Sequence, residues 1–434
     1  MLSTTNTKSS YGPKKKNDKK KSRLKHFFRI LGPGLVTGAG DDDPSGIATY
    51  SQAGTLFGLQ TLWTALITFP LMASIQGMCA KIGLITSTGL TTTLKKHYPA
   101  FILYLMLVFS VPATILNIGS DIAGMGAVSH LLIPSIPSYI FCILFTALLL
   151  VSIIKFSYQR IANILKWLCL SMLLYIIVPF LLKPDWTAVL KHTFIPTLRF
   201  DKDFLEILVA ILGTTISPYL FFWQATMEAE DKKKTASKIF VNKKVLSEMK
   251  QDVTTGMFAS NLVMFFIILT TGMVLHGHIK QIDTVEQAAQ ALEPLAGKMS
   301  YVIFAIGIIG TGFLAIPILS GSLSYIVAET FGWKKGLDKK FYQAPGFYIV
   351  LATSLLVGLG IDLIGISPLK MLIYTAVLYG MTAPVMIAVI IHICNNKKIM
   401  KQHTNSTFSN IMGALTFIVM SLAIIALLYF QFQS

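Results

Sequence analysis

Runs of about twenty apolar residues recur along the whole chain, separated by short polar stretches. A run of about that length crosses the hydrocarbon core of a bilayer as an α-helix. None of the connections is long enough to hold a second folded domain. The pattern therefore predicts an all-α polytopic membrane protein with eleven transmembrane helices. The predicted helices cover residues 30–57, 59–83, 99–127, 133–154, 161–182, 204–228, 253–275, 299–328, 346–362, 369–393 and 410–431.

Two of these segments contain a proline directly after a polar residue, at mid-membrane depth. They are residues 40–46 (Gly-Asp-Asp-Asp-Pro-Ser-Gly) in the first segment and residues 214–219 (Thr-Thr-Ile-Ser-Pro-Tyr) in the sixth. Proline removes a backbone donor and disfavours helix for the residue before it, so backbone carbonyls are freed there. Lipid cannot satisfy those carbonyls, so the unwound backbone must face protein or a water-filled cavity. We therefore expect helices 1 and 6 to be discontinuous.

The two breaks occupy equivalent places if the chain consists of two five-helix units. The first unit is residues 30–182 and the second is residues 204–393, joined by an outer loop at 183–203. A basic tail, 1–29, precedes them, and the helix at 410–431 is an addition. Because five is odd, the second unit is inverted relative to the first. Inverted repeats with discontinuous helices are typical of secondary transporters, whose substrate sites form where those helices meet.

Composition and charge support a membrane location. Only 13% of the residues are charged, against roughly 25% in soluble domains, and 53% are hydrophobic. The net charge is +17, but Lys and Arg concentrate in the tail and in alternate connections. This obeys the positive-inside rule and predicts a cytoplasmic-membrane protein with its N-terminus inside and its C-terminus outside. We expect the tail to contact anionic lipids, and we expect no nucleic-acid partner.

Three motifs resemble those of the Nramp family of divalent-metal transporters. Residues 43–46 (Asp-Pro-Ser-Gly), after the glycine-rich entry at 32–34, resemble the family's Asp-Pro-Gly-Asn. Residues 213–219 are similar to the family stretch that contains Met-Pro-His, and residues 121–124 (Asp-Ile-Ala-Gly) resemble Asp-Leu-Ala-Glu. The resemblance covers helices 1 to 10 in order and spacing. It implies a LeuT-type 5+5 inverted repeat plus one extra helix.

The chain departs from the family motifs at the residues that would bind metal or move protons. Gly46 corresponds to the family's asparagine, Ser217 to its methionine, and Tyr219 and Gln224 to its histidines. Gly124 corresponds to a glutamate that the family associates with proton movement. This pattern resembles the Nramp-related magnesium transporter branch, which shares the fold but not the transition-metal ligands.

The ligands that remain at the breaks all carry hard oxygen atoms. Asp43 offers a carboxylate, Gly40 and Thr214 offer freed carbonyls, Ser217 offers a hydroxyl, and Gly46 offers space. Carboxylate, carbonyl and water suit Mg²⁺, Ca²⁺ and Mn²⁺, whereas sulfur and imidazole favour later transition metals. Because Mg²⁺ keeps several waters in protein sites, a widened site suits it. Mg²⁺ and Mn²⁺ are therefore the favoured substrates.

The two aspartates that precede Asp43 are weaker candidates. Consecutive helical residues point about 100° apart, so three adjacent carboxylates cannot all line one small site. Asp42 remains a candidate ligand through water, and Asp41 is less favoured. In the third segment, Asp121 and Asn117 lie one turn apart on one face and form a candidate polar relay. A structural hydrogen bond is the alternative reading of this pair.

These observations predict a secondary-type transporter that takes up divalent metal ions by alternating access, with or without proton coupling. One alternative is a proton-coupled Mn²⁺/Fe²⁺ transporter, and a weaker one is an amino-acid transporter of the same fold. No nucleophile–base pair or nucleotide loop indicates an enzyme, and no cofactor is expected because the metal is the substrate. Glu228, Glu230 and Asp231 end the sixth segment near the inner face, where they either attract cations to an exit vestibule or, as is usual for charged residues at a helix end, are solvated. The sequence leaves the oligomeric state open.

Overall fold

The computed structural model describes residues 32–156, 174–234, 241–362 and 367–433, which are almost entirely helical. These residues contain no β-strand, only a bridge between His276 and Ile279, so the all-α prediction is confirmed for them. Their α-helices are α1 Pro33–Asp41, α2 Pro44–Phe57, α3 Trp63–Thr86, α4 Leu90–His97, α5 Ala100–Leu132, α6 Ser138–Lys155, α7 Leu174–Leu182, α8 Trp186–Phe194, α9 Lys202–Thr215, α10 Pro218–Lys234, α11 Lys243–Val274, α12 Val285–Ala289, α13 Glu293–Ala296, α14 Ser300–Phe331, α15 Pro345–Asp362, α16 Pro368–Asn395, α17 Lys397–Met400 and α18 Thr407–Gln433.

Within the described residues, 8 helices are long and apolar enough to cross a membrane, with Lys202–Lys233 taken as one. The first predicted segment is not among them because it is divided into α1 and α2, each too short alone. The ninth segment forms a shorter apolar helix, Pro345–Ile361. The fifth segment lies partly outside the described residues, and the basic tail lies wholly outside them. The count of eleven spans therefore stays a prediction.

The two interrupted helices lie side by side and run in opposite directions. The first half of one, α1, packs against α10, the second half of the other, and α2 likewise packs against α9. This pairing places the two breaks next to each other. Helix α11 runs along both α1 and α2, while α5 and α16 pack against each other and against α2. The breaks are thus enclosed by long helices.

Close backbone contacts fix the half-helices in place. A Cβ atom at Gly38 of α1 would lie 2.3 Å from the carbonyl oxygen of Gly256 on α11. One at Gly213 of α9 would lie 2.0 Å from the carbonyl oxygen of Ala376 on α16. Both separations are shorter than a real Cβ tolerates, so glycine is required at both positions. Such small-residue contacts are the usual means by which membrane helices associate, since lipid is as apolar as their side chains.

Candidate metal site at the helix breaks

The two breaks contact each other through polar groups. Helix α1 ends at Asp41 and α2 begins at Pro44, while α9 ends at Thr215 and α10 begins at Pro218. Proline suits the first helical position because the N–H that it lacks would be unsatisfied there. Across the breaks, the Tyr219 hydroxyl donates a hydrogen bond of 3.0 Å to the Gly40 carbonyl.

Asp43 is the N-cap of α2, and both of its carboxylate oxygens are engaged. Its Oδ1 accepts a hydrogen bond of 2.7 Å from the backbone N–H of Gly46, as N-cap residues commonly do. Its Oδ2 accepts a hydrogen bond of 2.9 Å from Nδ2 of Asn117 on α5. The side chain is buried, so these two donors and the helix N-terminus fix its orientation. Each oxygen retains lone pairs for a further ligand.

The predicted pair Asn117 and Asp121 lies next to this carboxylate. Asn117 contacts Asp43 directly, and Asp121, one turn further along α5, interacts electrostatically with it. Asp121 is fully buried, and neither of its carboxylate oxygens makes a hydrogen bond of ordinary geometry with a described residue. The backbone N–H of Ser45 is a nearby donor. The structure thus assembles Asp43, Asn117 and Asp121 into one buried polar group.

Asp41 and Asp42 have a different partner, Ser260 on α11. The Ser260 hydroxyl lies 2.7 Å from Oδ2 of Asp41 and 3.1 Å from Oδ1 of Asp42. Asp41 is fully buried, and its Oδ1 has no hydrogen-bond partner among the described residues, whereas Asp42 is partly exposed. The three adjacent aspartates therefore face two different helices: Asp43 is hydrogen-bonded to α5, and the other two are hydrogen-bonded to α11.

The remaining predicted ligands make local contacts at the second break. The Ser217 hydroxyl lies 2.5 Å from the Thr214 carbonyl and 3.0 Å from the Gly213 carbonyl, so it is used within its own chain segment. The freed carbonyls of Gly40 and Thr214 each accept from a hydroxyl and keep a second lone pair for an ion.

The space expected at Gly46 is narrow. A Cβ atom there would lie 3.3 Å from the Thr214 hydroxyl and 3.3 Å from the Tyr50 ring. The space that a side chain would take at this position is therefore largely filled by the neighbouring groups. In this conformation, Gly46 joins the two breaks and does not open a wide cavity.

No basic side chain compensates these carboxylates among the described residues. The salt bridges found there involve Arg199, Lys244, Lys335 and Lys370, none with an aspartate of the breaks. Nor do the described residues contain a group of three His, Cys, Asp or Glu side chains arranged to hold a metal. The polar groups that the described residues place at the breaks are therefore carboxylates, hydroxyls and backbone carbonyls, all of them oxygen atoms.

Sequence reasoning missed two residues on α11. Ser260 binds Asp41 and Asp42, and a Ser-Asn pair within an apolar segment was the available signal. Asp252 accepts hydrogen bonds of 2.7–3.2 Å from the first backbone N–H groups of α1, those of Gly32, Gly34 and Leu35. No local pattern links residues so far apart in sequence.

The interpretation of Glu228 as a solvated residue is wrong. Its side chain is buried and accepts a hydrogen bond of 3.1 Å from Gln224, which in turn accepts one from Thr37 of α1. The inner end of α10 packs against other helices, so this carboxylate has little contact with water.

Comparisons with known proteins agree with this architecture. A manganese transporter of Eremococcus coleocola superposes with a TM-score of 0.76 at 15% identity, covering 94% of this chain and 87% of that chain. MhsT in complex with L-phenylalanine superposes with a TM-score of 0.59 at 11% identity, covering 92% of this chain and 98% of that chain. At such identities the similarity concerns the fold alone. It confirms a LeuT-type fold.

Sequence comparison narrows the class to a family. The profile described as "Natural resistance-associated macrophage protein-like", or Nramp, matches residues 34–430. The chain is 26% identical over 398 residues to the divalent metal cation transporter MntH of Caldanaerobacter subterraneus, covering 90% of each. It is 23% identical over 416 residues to MntH of Klebsiella pneumoniae, covering 94% of this chain and 95% of the relative. The chain belongs to the Nramp family.

Proposed function

We propose that this protein takes up divalent metal ions by alternating access and favours the hard ions Mg²⁺ and Mn²⁺. The observation that carries the proposal is the buried carboxylate of Asp43, held at the break of the first helix by Gly46 and Asn117. Such a carboxylate, with no basic partner in the part of the chain that the structure describes and next to freed carbonyls, attracts a cation. Relatives named as divalent metal cation transporters and a manganese transporter of the same fold support the substrate class.

The preference for hard ions rests on the residues of the two break segments. Residues 40–46 and 213–219 contain no Cys, Met or His. We assign Asp43 as the ligand with a charged side chain, and the carbonyls of Gly40 and Thr214 as oxygen ligands. Asp42 is partly exposed and contacts the ion through water, while Ser217 and Gly46 border the site. A partly hydrated hard ion needs few protein ligands, which fits this set.

Uptake without proton coupling is the second part of the proposal. Gly124, where the family has a glutamate, borders Leu372 and Pro44 and carries no titratable group. An inside-negative potential is a sufficient driving force, since moving a divalent ion through about 100 mV contributes about 4.6 kcal/mol.

A proton-coupled Mn²⁺/Fe²⁺ transporter is the second candidate function. The observation that favours it is Asp121, a buried acid beside Asp43 whose carboxylate makes no hydrogen bond of ordinary geometry with any described residue. An amino-acid transporter is less well supported, although MhsT shares the fold. The site for a substrate carboxylate in such proteins is a half-helix N-terminus, and here that position holds Asp43, which would repel it.

The test is uptake of Mg²⁺ and Mn²⁺ into proteoliposomes with a pH-sensitive dye inside. We expect the wild type to take up both ions without acidification, and Asp43→Asn to lose most of the uptake. The matched control is Asp201→Asn. Asp201 is also a helix N-cap, since its Oδ1 accepts a hydrogen bond of 3.0 Å from the Phe204 N–H, but it lies away from the breaks.

Three results would count against the proposal. Uptake of neither ion by the wild type would contradict metal transport by this chain. Metal-dependent acidification would show proton coupling and favour the second candidate. Strong preference for Cd²⁺ over Mg²⁺ would show a soft ligand that is absent from the break segments.

A further inference from the structure

A cavity of about 510 Å³ lies where α14 connects to α15, away from the helix breaks. Helix α14 ends at Phe331, and Gly332 then adopts a left-handed conformation with φ +73°, which turns the chain sharply. Trp333 and Lys334 line one side of the cavity. The other side is formed by Tyr342, Gln343, Pro345 and Gly346.

The aromatic walls of this cavity are well placed for a bilayer interface. The Trp333 ring lies against the backbone of Gly346, where a Cβ atom would be 2.7 Å from the indole, and it stacks on Phe331 at a centroid distance of 5.3 Å. Trp333 is still 45% exposed and Tyr342 is 71% exposed. Trp and Tyr concentrate at the level of lipid headgroups because one end of each ring is apolar and the other is polar.

The residues that line the cavity include one basic side chain and no acidic one. Lys334 lines it and makes no ion pair with a described residue, and Nζ of Lys340 lies 5.9 Å from the centre of the Tyr342 ring. Lys335 is different, because it is paired with the buried carboxylate of Glu329. Two cationic side chains, Lys334 and Lys340, are therefore available to a ligand, and an anionic group complements them.

The surface next to the cavity is apolar. Phe331, the last residue of α14, is 61% exposed. Ile349 follows Pro345 by one turn on the same face of α15 and is 56% exposed. A ligand with an anionic head in the cavity would thus have room for hydrocarbon chains along these two helices. A free anion would leave this apolar surface unused.

We propose that this cavity binds the headgroup of an anionic glycerophospholipid, with its phosphate near Lys334 and Lys340 and its acyl chains along Phe331 and Ile349. The site is independent of the metal site. It lies in a connection that the charge pattern places on the cytoplasmic side, where anionic lipids attract basic segments.

The experiment uses the full chain in mixed bilayers and brominated lipids, which quench nearby tryptophan fluorescence. The signal of Trp333 is isolated as the difference between the wild type and Trp333→Phe. We expect brominated phosphatidylglycerol to quench this signal at a mole fraction about fivefold lower than brominated phosphatidylcholine, and more if both lysines contribute. The double variant Lys334→Gln/Lys340→Gln is expected to abolish the difference.

The control is Lys397→Gln/Lys398→Gln, which removes two lysines from α17 in another connection. It should leave the lipid preference unchanged. Equal quenching by both lipids in the wild type would overturn the proposal, and so would an equal loss of preference in the control. Displacement of brominated phosphatidylglycerol by millimolar inorganic phosphate would also overturn it, because the cavity would then be a site for free anions.

Discussion

Asn117 fixes the orientation of the Asp43 carboxylate, which we propose as a ligand of the transported ion. Its Nδ2 donates a hydrogen bond of 2.9 Å to Oδ2 of Asp43, and the backbone N–H of Gly46 donates one of 2.7 Å to Oδ1. With a donor on each oxygen, the carboxylate cannot rotate freely, and under our proposal an ion would approach it from the side left open. The hydrogen bonds also reduce the cost of burying the charge.

Replacing Asn117 tests this positioning role. Asn117→Leu keeps the approximate volume but removes the donor to a charged acceptor, an interaction worth about 1.5–3 kcal/mol. We expect the KM for Mn²⁺ uptake to rise by about tenfold or more, while the protein remains folded in detergent. Ser120→Ala, which removes a hydroxyl bonded to the carbonyls of Leu116 and Asn117, is the control. An unchanged KM in Asn117→Leu would mean that Asp43 does not need this donor.

Ser217 tests whether a missing sulfur ligand sets ion preference. Ser217→Met restores the thioether found at the equivalent family position, and Ser217→Leu supplies similar bulk without sulfur. Since sulfur favours softer ions, we expect Cd²⁺ to compete with Mn²⁺ uptake more strongly in Ser217→Met than in Ser217→Leu. Competition assays measure this difference. Equal Cd²⁺ competition in the two variants would mean that position 217 does not contact the ion.

At the scale of elements, Asp252 joins the half-helix α1 to α11. Its carboxylate accepts hydrogen bonds from three backbone N–H groups at the start of α1, where the helix dipole also favours a negative charge. The contact between Gly38 and Gly256 continues this interface toward the break. An isolated helix as short as α1 is not stable on its own, so its position depends on these contacts.

Removing this carboxylate should loosen α1. Thr37→Cys supplies a thiol on α1 that a water-soluble reagent can label. We expect Asp252→Ala to raise the rate of this labelling by about tenfold, which corresponds to about 1.4 kcal/mol for the loss of a charged cap. Thr37 is fully buried, so labelling reports on movement of α1. The variants are made without the four native cysteines. Gln251→Ala, at the exposed neighbouring position, is the control, and equal rates in both variants would contradict the role of Asp252.

The elements also show how far sequence reasoning extends. The proline breaks and the grouping of Asn117 with Asp121 follow from local rules about proline and helical spacing, and Asp43 was the favoured ligand for the same reason. The contacts of Ser260 and Asp252 with the first helix span more than 200 positions and depend on how helices pack. The narrow space at Gly46 and the burial of Glu228 also come from packing, which no local pattern encodes.

For the protein as a whole, we propose that the membrane potential drives metal uptake. For a divalent ion, about 100 mV supports about a thousandfold gradient. In proteoliposomes with a potassium diffusion potential, Mn²⁺ accumulation should rise with the inside-negative potential and persist when the pH gradient is collapsed. Accumulation that disappears together with the pH gradient would indicate proton coupling.

We propose that Asp43 binds the transported ion at the junction of the two interrupted helices. The most direct test of this claim is Mn²⁺ binding to the purified protein, followed by the loss of the free-Mn²⁺ electron paramagnetic resonance signal. We predict saturable binding in the wild type, displacement by Mg²⁺, and an affinity lower by about tenfold or more in Asp43→Asn, since an interaction with a charged group is lost. Equal Mn²⁺ affinity in the wild type and in Asp43→Asn would contradict the claim.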